Sequence, residues 1–398
     1  MAEMLSVVFA KGFRVGAGRG GLKTKGDDVM LLVADEAAAA AAVFTTNKMF
    51  AAPVRYSREV AAKGRAMAIV ANAGNANAAT GDAGYANARE MAAIAAGHAS
   101  CGADEVFVAS TGVIGKPLDM DKVRAGVAAA ASRLGCDSIA AAAAARAIMT
   151  TDLVPKASQC EIKIDGKAVR IGGITKGSGM ISPKVATMLA FVTTDAAAGP
   201  AVLRKALTAA ADSSFDRVTV DGDMSTNDSL FLLASGKSGA TVGETGPAFD
   251  SFVGALTEVS LNLAKMMAAD GEGATKFVTV SVAGAADSAA ALLQARSIAN
   301  SPLVKTALFG SDPNWGRVLA AAGYAGAPFE EGKAVLKFNG VKAFEKGTPL
   351  PKTGPINEVM KEHDITIELD LGLGTGEAVV YTCDFSYDYV KINAEYHT

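Results

Sequence analysis

The stretch from Lys176 to Asp195, KGSGMISPKVATMLAFVTTD, constrains the fold of this chain more than any other segment. Its first part contains two glycines and a proline, which suit a sharp turn or a strained backbone. The apolar run Met188–Val192 that follows is typical of a buried strand. Thr187 stands at the mouth of this strand, where its hydroxyl is well placed to act as a nucleophile. Threonine is also common as an ordinary strand residue, and the segment alone does not decide between the two.

Composition limits the class of protein. Of the 398 residues, 50% are hydrophobic and 20% are charged, which favours a large core and excludes wholesale disorder. A net charge of −3 without a long basic block predicts neither a nucleic-acid nor a membrane partner. No apolar run reaches the ~18–20 residues that span a bilayer, and the N-terminus lacks the pattern of a signal peptide. The four cysteines form no CxxC pair, so we expect reduced thiols in a cytoplasmic protein and neither a zinc site nor a disulfide framework.

The histidines restrict the chemistry. There are only three, His98, His363 and His397, and none belongs to a catalytic motif. A threonine nucleophile would then need a lysine, a carboxylate or an α-amine as its base, and an α-amine has a pKa of about 7.7–8. Such an amine is available to Thr187 only if the chain is cut between Ala186 and Thr187. The hydroxyl of Thr187 would attack the Ala186 carbonyl, and water would hydrolyse the resulting ester.

Helical and strand-like segments alternate along the chain, which predicts a mixed α/β fold. Adjacent strands are joined by turns too short for a crossover helix, such as the hairpin turn at Asp165-Gly166. We therefore expect mixed, largely non-doubly-wound sheets layered with helices. The pattern also predicts a strand and a loop over 42–56, a short strand over 218–221 and a terminal strand over 387–393.

Three glycine-containing or acidic segments resemble known ligand loops. Gly16, Gly18 and Gly21 match G-x-G-x-x-G, but a polar loop follows them where a dinucleotide site requires a helix. The acidic loop 221–228 lacks the glycine and the glutamate of a calcium loop, so no metal is expected. The pair Thr111–Gly112 follows a predicted strand, where a hydroxyl and an N–H are natural donors to an anion.

Motifs along the whole chain resemble those of the ornithine acetyltransferases, the self-processing glutamate N-acetyltransferases of arginine biosynthesis. The matching segments, in order, are FTTN (44–47), AAPV (51–54), GNANAATG (74–81), STGVIG (110–115), TTD (150–152), KGSGM (176–180), ATMLAF (186–191), STNDS (225–229), DGEGATK (270–276), DPNWGR (312–317) and YDYVKINAEY (387–396).

The resemblance implies a role for each matching residue. Thr187 would take the acetyl group of N-acetylornithine and pass it to glutamate in a ping-pong reaction, with Thr111 and Gly112 as the oxyanion hole. By charge, Lys176 suits a substrate carboxylate and Glu272 an ammonium group. The implied substrate contacts are Thr150 or Thr151 (the choice stays open), Lys176, Thr187, Glu272, Asn393 and Thr398.

The resemblance also implies an assembly. Self-cleavage at Ala186–Thr187 would give an α chain of residues 1–186 and a β chain of 187–398, and two of each would form a heterotetramer. No cofactor is expected. No motif separates members that also use acetyl-CoA as a donor from those that only recycle acetyl groups.

Two other functions fit the same residues. One is an amidohydrolase or aminopeptidase on the same self-processing scaffold, in which water and not an amine resolves the acyl-enzyme. The other is a binding protein that keeps the fold without catalysis, whose function a Thr187→Ala change would leave untouched. The first is distinguished by whether release of ornithine depends on glutamate.

Overall fold

The structure, a computed structural model, describes residues 4–182, 188–351 and 354–395. Its strands are β1 (Phe13–Gly18), β2 (Val29–Phe44), β3 (Arg65–Asn75), β4 (Val106–Val113), β5 (Lys156–Ile164), β6 (Lys167–Lys176), β7 (Leu189–Thr194), β8 (Ala197–Ala198), β9 (Ser229–Ala234), β10 (Thr241–Val242), β11 (Phe277–Ala285), β12 (Val335–Phe338), β13 (Val341–Glu345), β14 (Thr348–Pro349), β15 (Asp364–Asp370) and β16 (Gly376–Cys383). Its α-helices are α1 (Ala52–Ala61), α2 (Gly81–Ala99), α3 (Met120–Ala131), α4 (Ser138–Ala147), α5 (Pro200–Ser213), α6 (Pro247–Ala269), α7 (Ser288–Asn300), α8 (Pro302–Phe309), α9 (Trp315–Gly323), α10 (Pro355–Val359) and α11 (Tyr387–Glu395).

The first sheet has eight strands and mixed direction. Its order is β4-β3-β2-β9-β7-β6-β5, and β1 pairs with the first half of β2. β3 runs parallel to β4 and β7 parallel to β9, whereas β2 and β6 pair antiparallel with all their neighbours. The predicted class, a mixed α/β fold that is not doubly wound, is confirmed.

Helices cover both faces of this sheet, because its central strands are apolar on both sides. Along β7, Leu189 and Phe191 face a core shared with α1 to α4, whereas Ala190 and Val192 face a core shared with α5 and α6. Phe191 stacks on Phe231 of β9 at 5.6 Å between ring centroids. Successive strand residues point to opposite faces, so an uninterrupted apolar run serves two cores at once. The predicted buried strand after residue 187 is therefore confirmed.

A second sheet has the order β14-β13-β12-β15-β11-β16 and packs against the helices that cover the first sheet. β11 and β15 are parallel, and the other pairs are antiparallel. Helices α7 to α10 pack on this sheet around a third core. Cys383 at the end of β16 is buried in the core of α5 and α6, and Phe277 stacks on Tyr381 at 6.0 Å beside it. This contact brings the loop after α6 and the helix α11 towards the edge of the first sheet.

Three local predictions were wrong in part or in whole, and the first two concern short segments. Within 42–56 the predicted strand (the end of β2) and loop are present up to Ala51, but the last residues are helical, because α1 begins at Ala52 with Pro53 in its first turn. Proline fits there because its missing N–H would have no partner in that turn. Residues 218–221 form no strand; Val218 makes a single bridge to Tyr381.

The segment over 387–393 is a helix, α11, and not a strand. The Oγ of Ser386 accepts a hydrogen bond from the Asp388 N–H at 3.1 Å, which satisfies a free donor of the first turn. Tyr389 stacks on Phe385 at 4.5 Å, a spacing of four residues that a helical path permits. Aromatic and β-branched residues favoured a strand in the sequence, but the cap and this stacking outweigh that propensity.

The glycines of the G-x-G-x-x-G segment serve packing. A Cβ on Gly16 would lie 2.1 Å from the Ala130 carbonyl oxygen, and one on Gly18 would lie 2.2 Å from that of Gly126. Glycine alone therefore lets α3 approach β1 this closely. The loop that follows wraps around the buried Asp28 carboxylate, which accepts four backbone N–H bonds from residues 20–23 at 2.6–3.1 Å.

Candidate active site

A cavity of about 260 Å³ lies at the edge of the first sheet, between the ends of β4 and β6, the loop after α6 and the helix α11. Seven of the ten residues singled out in the sequence line it: Thr111, Gly112, Thr150, Thr151, Lys176, Glu272 and Asn393. The other three, Ala186, Thr187 and Thr398, lie outside the described residues. Segments more than 280 residues apart in the sequence thus meet in one site.

Thr111 and Gly112 occupy an irregular end of β4. The pairing of β3 with β4 shifts register at Asn75, which opposes both Thr111 and Val113. Gly112 has φ +129°, and a Cβ there would lie 2.4 Å from the Gly74 carbonyl carbon. Only glycine fits this close approach of two backbones.

Buried amides and hydroxyls fix this end of the sheet. The Oγ of Ser110 donates to Asn72 Oδ1 at 2.6 Å, and Asn72 Nδ2 donates to the Asn75 carbonyl at 2.9 Å. Asn227, from the loop before β9, donates through Nδ2 to the carbonyls of Ser110 and Ala76 at 2.8 and 2.7 Å. Each buried group has a partner, so the backbone that carries Thr111 is held rigidly.

Lys176 ends β6 with its side chain buried in the wall of the cavity. Its Nζ donates hydrogen bonds to Thr150 Oγ1 at 2.8 Å and to Thr111 Oγ1 at 3.3 Å. Burial lowers the pKa of this amine, against the opposing effect of the Asp152 and Glu272 carboxylates. The site therefore holds a desolvated cation beside the proposed oxyanion donors.

A buried ion triple lies behind Lys176. The fully buried Lys156 Nζ donates to Asp152 Oδ1 at 2.7 Å and to Asp270 Oδ2 at 2.6 Å. Asp152 also accepts the Gly177 N–H at 2.7 Å. Burial opposes the ionisation of Asp152, but the ammonium groups of Lys176 and Lys156 and these hydrogen bonds lower its pKa to about 2. The triple ties together three segments that line the cavity.

Glu272 forms the opposite, anionic wall. Its backbone N–H donates to the Ser178 carbonyl at 2.8 Å, which joins the loop after α6 to the segment that follows β6. A Cβ on Gly179 would lie 2.3 Å from the Glu272 carboxyl carbon, so glycine makes room for this side chain. Asn393 of α11 donates through Nδ2 to Glu272 Oε2 at 2.8 Å. The helix that the sequence pattern mistook for a strand thus orients the one carboxylate predicted to bind substrate.

The chain next to the predicted nucleophile is anchored by a buried acid. The Met188 N–H donates to Asp228 Oδ1 at 3.0 Å. Burial raises the pKa of the Asp228 carboxyl well above its usual range. The same residue also accepts the Thr45 N–H through its backbone carbonyl at 3.0 Å. Asp228 therefore fixes the start of β7 relative to the rest of the sheet.

Sequence reasoning missed several residues that build this site. Asp152 and Asp228 lie within the TTD and STNDS motifs, which pointed to their segments without giving them a role. Lys156 carried no signal, because its partner Asp270 is 114 residues away. Asn227 was likewise visible only as part of a motif.

The described residues contain neither a membrane-spanning helix nor a metal-binding cluster. Within 4–182, 188–351 and 354–395, no helix combines the length and the apolar character that a membrane crossing would need. In the same ranges, no three His, Cys, Asp or Glu side chains cluster closely enough to hold a metal ion.

Comparison with known proteins relates this site to a family. The ArgJ family profile matches residues 14–398. The arginine biosynthesis bifunctional protein ArgJ of Thermosynechococcus vestitus is 46% identical over 411 aligned residues, covering 98% of this chain and 98% of that protein. The protein of the same name from Geobacter sulfurreducens is 47% identical, covering 98% of this chain and 99% of that protein. The crystal structure of arginine biosynthesis bifunctional protein argJ from Bacillus halodurans is 38% identical, with a TM-score of 0.49, over 51% of this chain and 97% of that one. The chain therefore belongs to the ArgJ family, the ornithine acetyltransferases, and is an acyltransferase of arginine biosynthesis.

Proposed function

We propose that the protein transfers the acetyl group of N-acetylornithine to glutamate through an acetyl ester on Thr187. The observation that carries the proposal is the convergence of Thr111, Gly112, Lys176 and Glu272 on one cavity of about 260 Å³. It presents a hydroxyl and a backbone amide, a buried cation and a buried carboxylate. These groups are complementary to an acetylated amino acid with a charged side chain.

The chemistry of N-acetylornithine gives the order of contacts. Its acetylated amine and its carboxylate share one carbon atom, and its side-chain ammonium lies three methylene groups away. Lys176 donates to Thr111, so a carboxylate bound by Lys176 places the adjacent acetyl carbonyl at Thr111 and Gly112. Glu272 then pairs with the ammonium group. Glutamate binds its α-carboxylate at Lys176 in the second half of the reaction.

The hydrogen bond from Lys176 also prepares the Thr111 hydroxyl. An ammonium group can only donate, so the Thr111 oxygen acts as the acceptor in this contact. Its own hydrogen is then free to point at a developing oxyanion. Loss of one such donor typically costs about 10²- to 10³-fold in rate.

The reaction proceeds in two balanced halves. The Thr187 oxygen attacks the acetyl carbonyl, the carbon–nitrogen bond breaks, and the proton of Thr187 passes through its α-amine to the departing ornithine amine. The glutamate amine then attacks the ester, and its proton returns to the threonine oxygen. No resident cofactor takes part, and we place the enzyme in the cytoplasm.

The α-amine requires cleavage between Ala186 and Thr187, and the sheet order supports a stable product. Strands β7 and β9 belong to the proposed β chain of 187–398, yet they lie between β2 and β6 of the proposed α chain of 1–186. Two ladders of six residue pairs each, β2 with β9 and β6 with β7, and two shared cores would hold the chains together without a covalent bond. We propose that two such pairs assemble into a heterotetramer.

The test is an assay of ornithine release from N-acetylornithine, with and without glutamate. A transferase releases ornithine continuously only when glutamate is present, and N-acetylglutamate forms in equal amount. Continuous release without glutamate would instead identify the hydrolase, in which water resolves the acyl-enzyme.

A further inference from the structure

The cavity of about 260 Å³ has apolar side chains at two separate places. Among its described lining residues, those with apolar side chains are Ala76, Ile114 and Met180. Met180 follows Gly179, which lies against the Glu272 carboxylate, so Met180 belongs to the anionic wall. Ala76 and Ile114 have no part in the reaction described above.

Ala76 and Ile114 lie beside the two oxyanion donors. Ile114 is two residues after Gly112, and the Ala76 N–H donates at 2.9 Å to the carbonyl of Val113, the residue between them. The Ala76 carbonyl in turn accepts the side-chain amide of Asn227 at 2.7 Å. These bonds hold both apolar residues at the oxyanion end of the cavity.

Two further alanines lie behind this pair. Ala51 and Ala78 are 1% and 0% exposed, and with Ala76 they form a small apolar group, here called the alanine cluster, against which Ile114 packs. The Ala51 N–H donates to the Thr226 carbonyl at 2.8 Å, and the Ala78 carbonyl accepts a backbone N–H at 2.9 Å. The cluster resists widening, because its side chains are short, its backbone is hydrogen-bonded and protein interiors are close-packed.

The acetyl group brings its methyl to this end of the cavity. In the proposed reaction its carbonyl oxygen points to Thr111 and Gly112, and the methyl is bonded to the same carbon atom. The third substituent is the amide nitrogen, whose ornithine portion extends towards Lys176. The methyl therefore lies next to the bound oxygen, where Ala76 and Ile114 remove it from water.

We infer that Ile114 and the alanine cluster form an acyl pocket that limits the transferred group to acetyl, with Ile114 setting the depth of the pocket. This inference rests on the proposed function, because it uses the same oxyanion donors, and it adds the residue that determines which acyl group is accepted. A longer acyl chain needs the space that the Ile114 side chain occupies. Behind Ile114 the rigid backbone of the cluster closes the pocket.

The test measures the choice of acyl group. Initial rates of ornithine release are recorded with N-acetyl-, N-propionyl- and N-butyrylornithine in the presence of glutamate, and the N-acylglutamate formed is quantified. Ile114→Ala opens the pocket, and Ala76→Val fills it. Two controls accompany them: Ile139→Ala makes the same change at an exposed position of α4, and Met180→Ala shortens the apolar side chain at the anionic wall.

The unmodified enzyme should prefer acetyl to butyryl by at least about 100-fold in kcat/KM, because one misfitting methylene alone costs about 10- to 200-fold. Ile114→Ala should raise the butyryl-to-acetyl ratio at least about tenfold, since it removes more carbon atoms than butyryl adds. Ile139→Ala should match the unmodified enzyme with all three donors. Met180→Ala should leave the ratio unchanged, whatever its effect on the rates.

Two further variants grade the effect. Ala76→Val should abolish propionyl transfer and reduce acetyl transfer, because added carbon atoms overfill a close-packed pocket. Ile114→Val removes a single carbon atom and should give a ratio between those of the unmodified enzyme and Ile114→Ala. The Ile114 series alone decides the question if circular dichroism shows that Ala76→Val does not fold.

An unchanged butyryl-to-acetyl ratio in Ile114→Ala, with acetyl transfer retained, would overturn the inference and leave the proposed function standing. An equal rise of the ratio in Met180→Ala would also overturn it, because the effect would not belong to the oxyanion end. Ornithine release without N-acylglutamate would contradict the proposed function instead, and the ratio from ornithine release would still test the pocket. Release from none of the three donors would contradict both.

Discussion

The Nζ of Lys176 donates a hydrogen bond to Oγ1 of Thr111 at 3.3 Å, so two residues with separate predicted roles are directly coupled. The cation binds a substrate carboxylate in our proposal and at the same time orients the hydroxyl that faces the oxyanion. Strand β6 carries the first and β4 the second, and four strands (β3, β2, β9 and β7) separate them in the sheet order. The site therefore depends on the whole sheet and not on one loop.

Replacement of Lys176 by methionine tests the shared role. The change keeps the length of the side chain and removes two hydrogen bonds to threonine hydroxyls and the charge that meets the carboxylate. Charge-assisted bonds contribute about 1.5–3 kcal/mol each, so kcat/KM for N-acetylornithine should fall at least about tenfold, with both kcat and KM affected. Steady-state kinetics measure this. A change in KM alone would separate the two roles.

The pH dependence of binding follows from the same residue. Burial lowers the pKa of the Lys176 amine, so it loses its proton at a lower pH than an ordinary lysine, whose pKa is about 10.4. The charged form binds the carboxylate, and KM for N-acetylornithine should therefore rise as the pH increases towards that lowered pKa. A KM profile that stays flat up to the ordinary lysine range would contradict this assignment.

Gly112→Ala should abolish most activity while the matched Gly115→Ala change should not. Both residues have positive φ, +129° and +80°, so both variants incur backbone strain. A Cβ at 112 would meet the Gly74 backbone at 2.4 Å, whereas at 115 nothing lies within 4 Å. Displacement of the 112 N–H should cost about 10²- to 10³-fold in kcat. Self-cleavage, followed on a denaturing gel, should slow in the same order of variants.

The buried ion triple predicts that loss of Lys156 lowers the free energy of unfolding far more than loss of an exposed lysine. Lys156→Met removes the cation that Asp152 and Asp270 share, and removal of one partner of a buried ion pair costs about 3–5 kcal/mol. Urea unfolding followed by circular dichroism measures the loss. Exchange of the exposed Lys163 for methionine serves as the control and should change stability by less than about 0.5 kcal/mol.

Acid should weaken the same triple in the unmodified protein. The pKa of Asp152 is about 2 in the folded state, below the ordinary value of about 3.9. The stabilisation is therefore complete above the ordinary value and is lost as the pH falls through about 2. Lys156→Met should remove part of this acid dependence, and an unchanged acid profile in that variant would exclude the triple as its source.

Asn393→Leu tests the contribution of α11. The change removes the donor that orients Glu272 and keeps the volume of the side chain. KM for N-acetylornithine should rise several-fold, because the carboxylate that meets the ammonium group loses its fixed position. The rate of self-cleavage should not change, since Glu272 has no part in that step. An equal effect on both reactions would indicate a general loss of structure.

Part of this architecture could be predicted from the sequence and part could not. The apolar run after residue 187 gave the buried strand correctly, because strands that serve two cores need apolar residues at every position. Segment 387–393 was misjudged, because its aromatic and β-branched residues favour a strand while the Ser386 cap and the stacking of Tyr389 on Phe385 favour a helix. Local propensity does not contain those contacts.

Some residues of the site could likewise be predicted from the sequence, and others could not. Thr111, Gly112 and Lys176 were identified by their resemblance to a family, and the structure brings them together on one cavity. Lys156 was not identified, because its role depends on Asp270, a carboxylate 114 residues away that only folding brings to it. Pairing across a sheet and burial of charge are properties of the folded chain, and one sequence does not reveal them.

Mass spectrometry of the protein after reaction with N-acetylornithine and no glutamate tests the acetyl-threonine intermediate. We expect two fragments, of 186 and 212 residues, that together make up the 398-residue chain. The larger fragment should gain the mass of one acetyl group at its first residue, Thr187, and lose it when glutamate is added. A single intact chain that transfers acetyl groups, or an acetyl group on any other residue, would rule out Thr187 as the nucleophile.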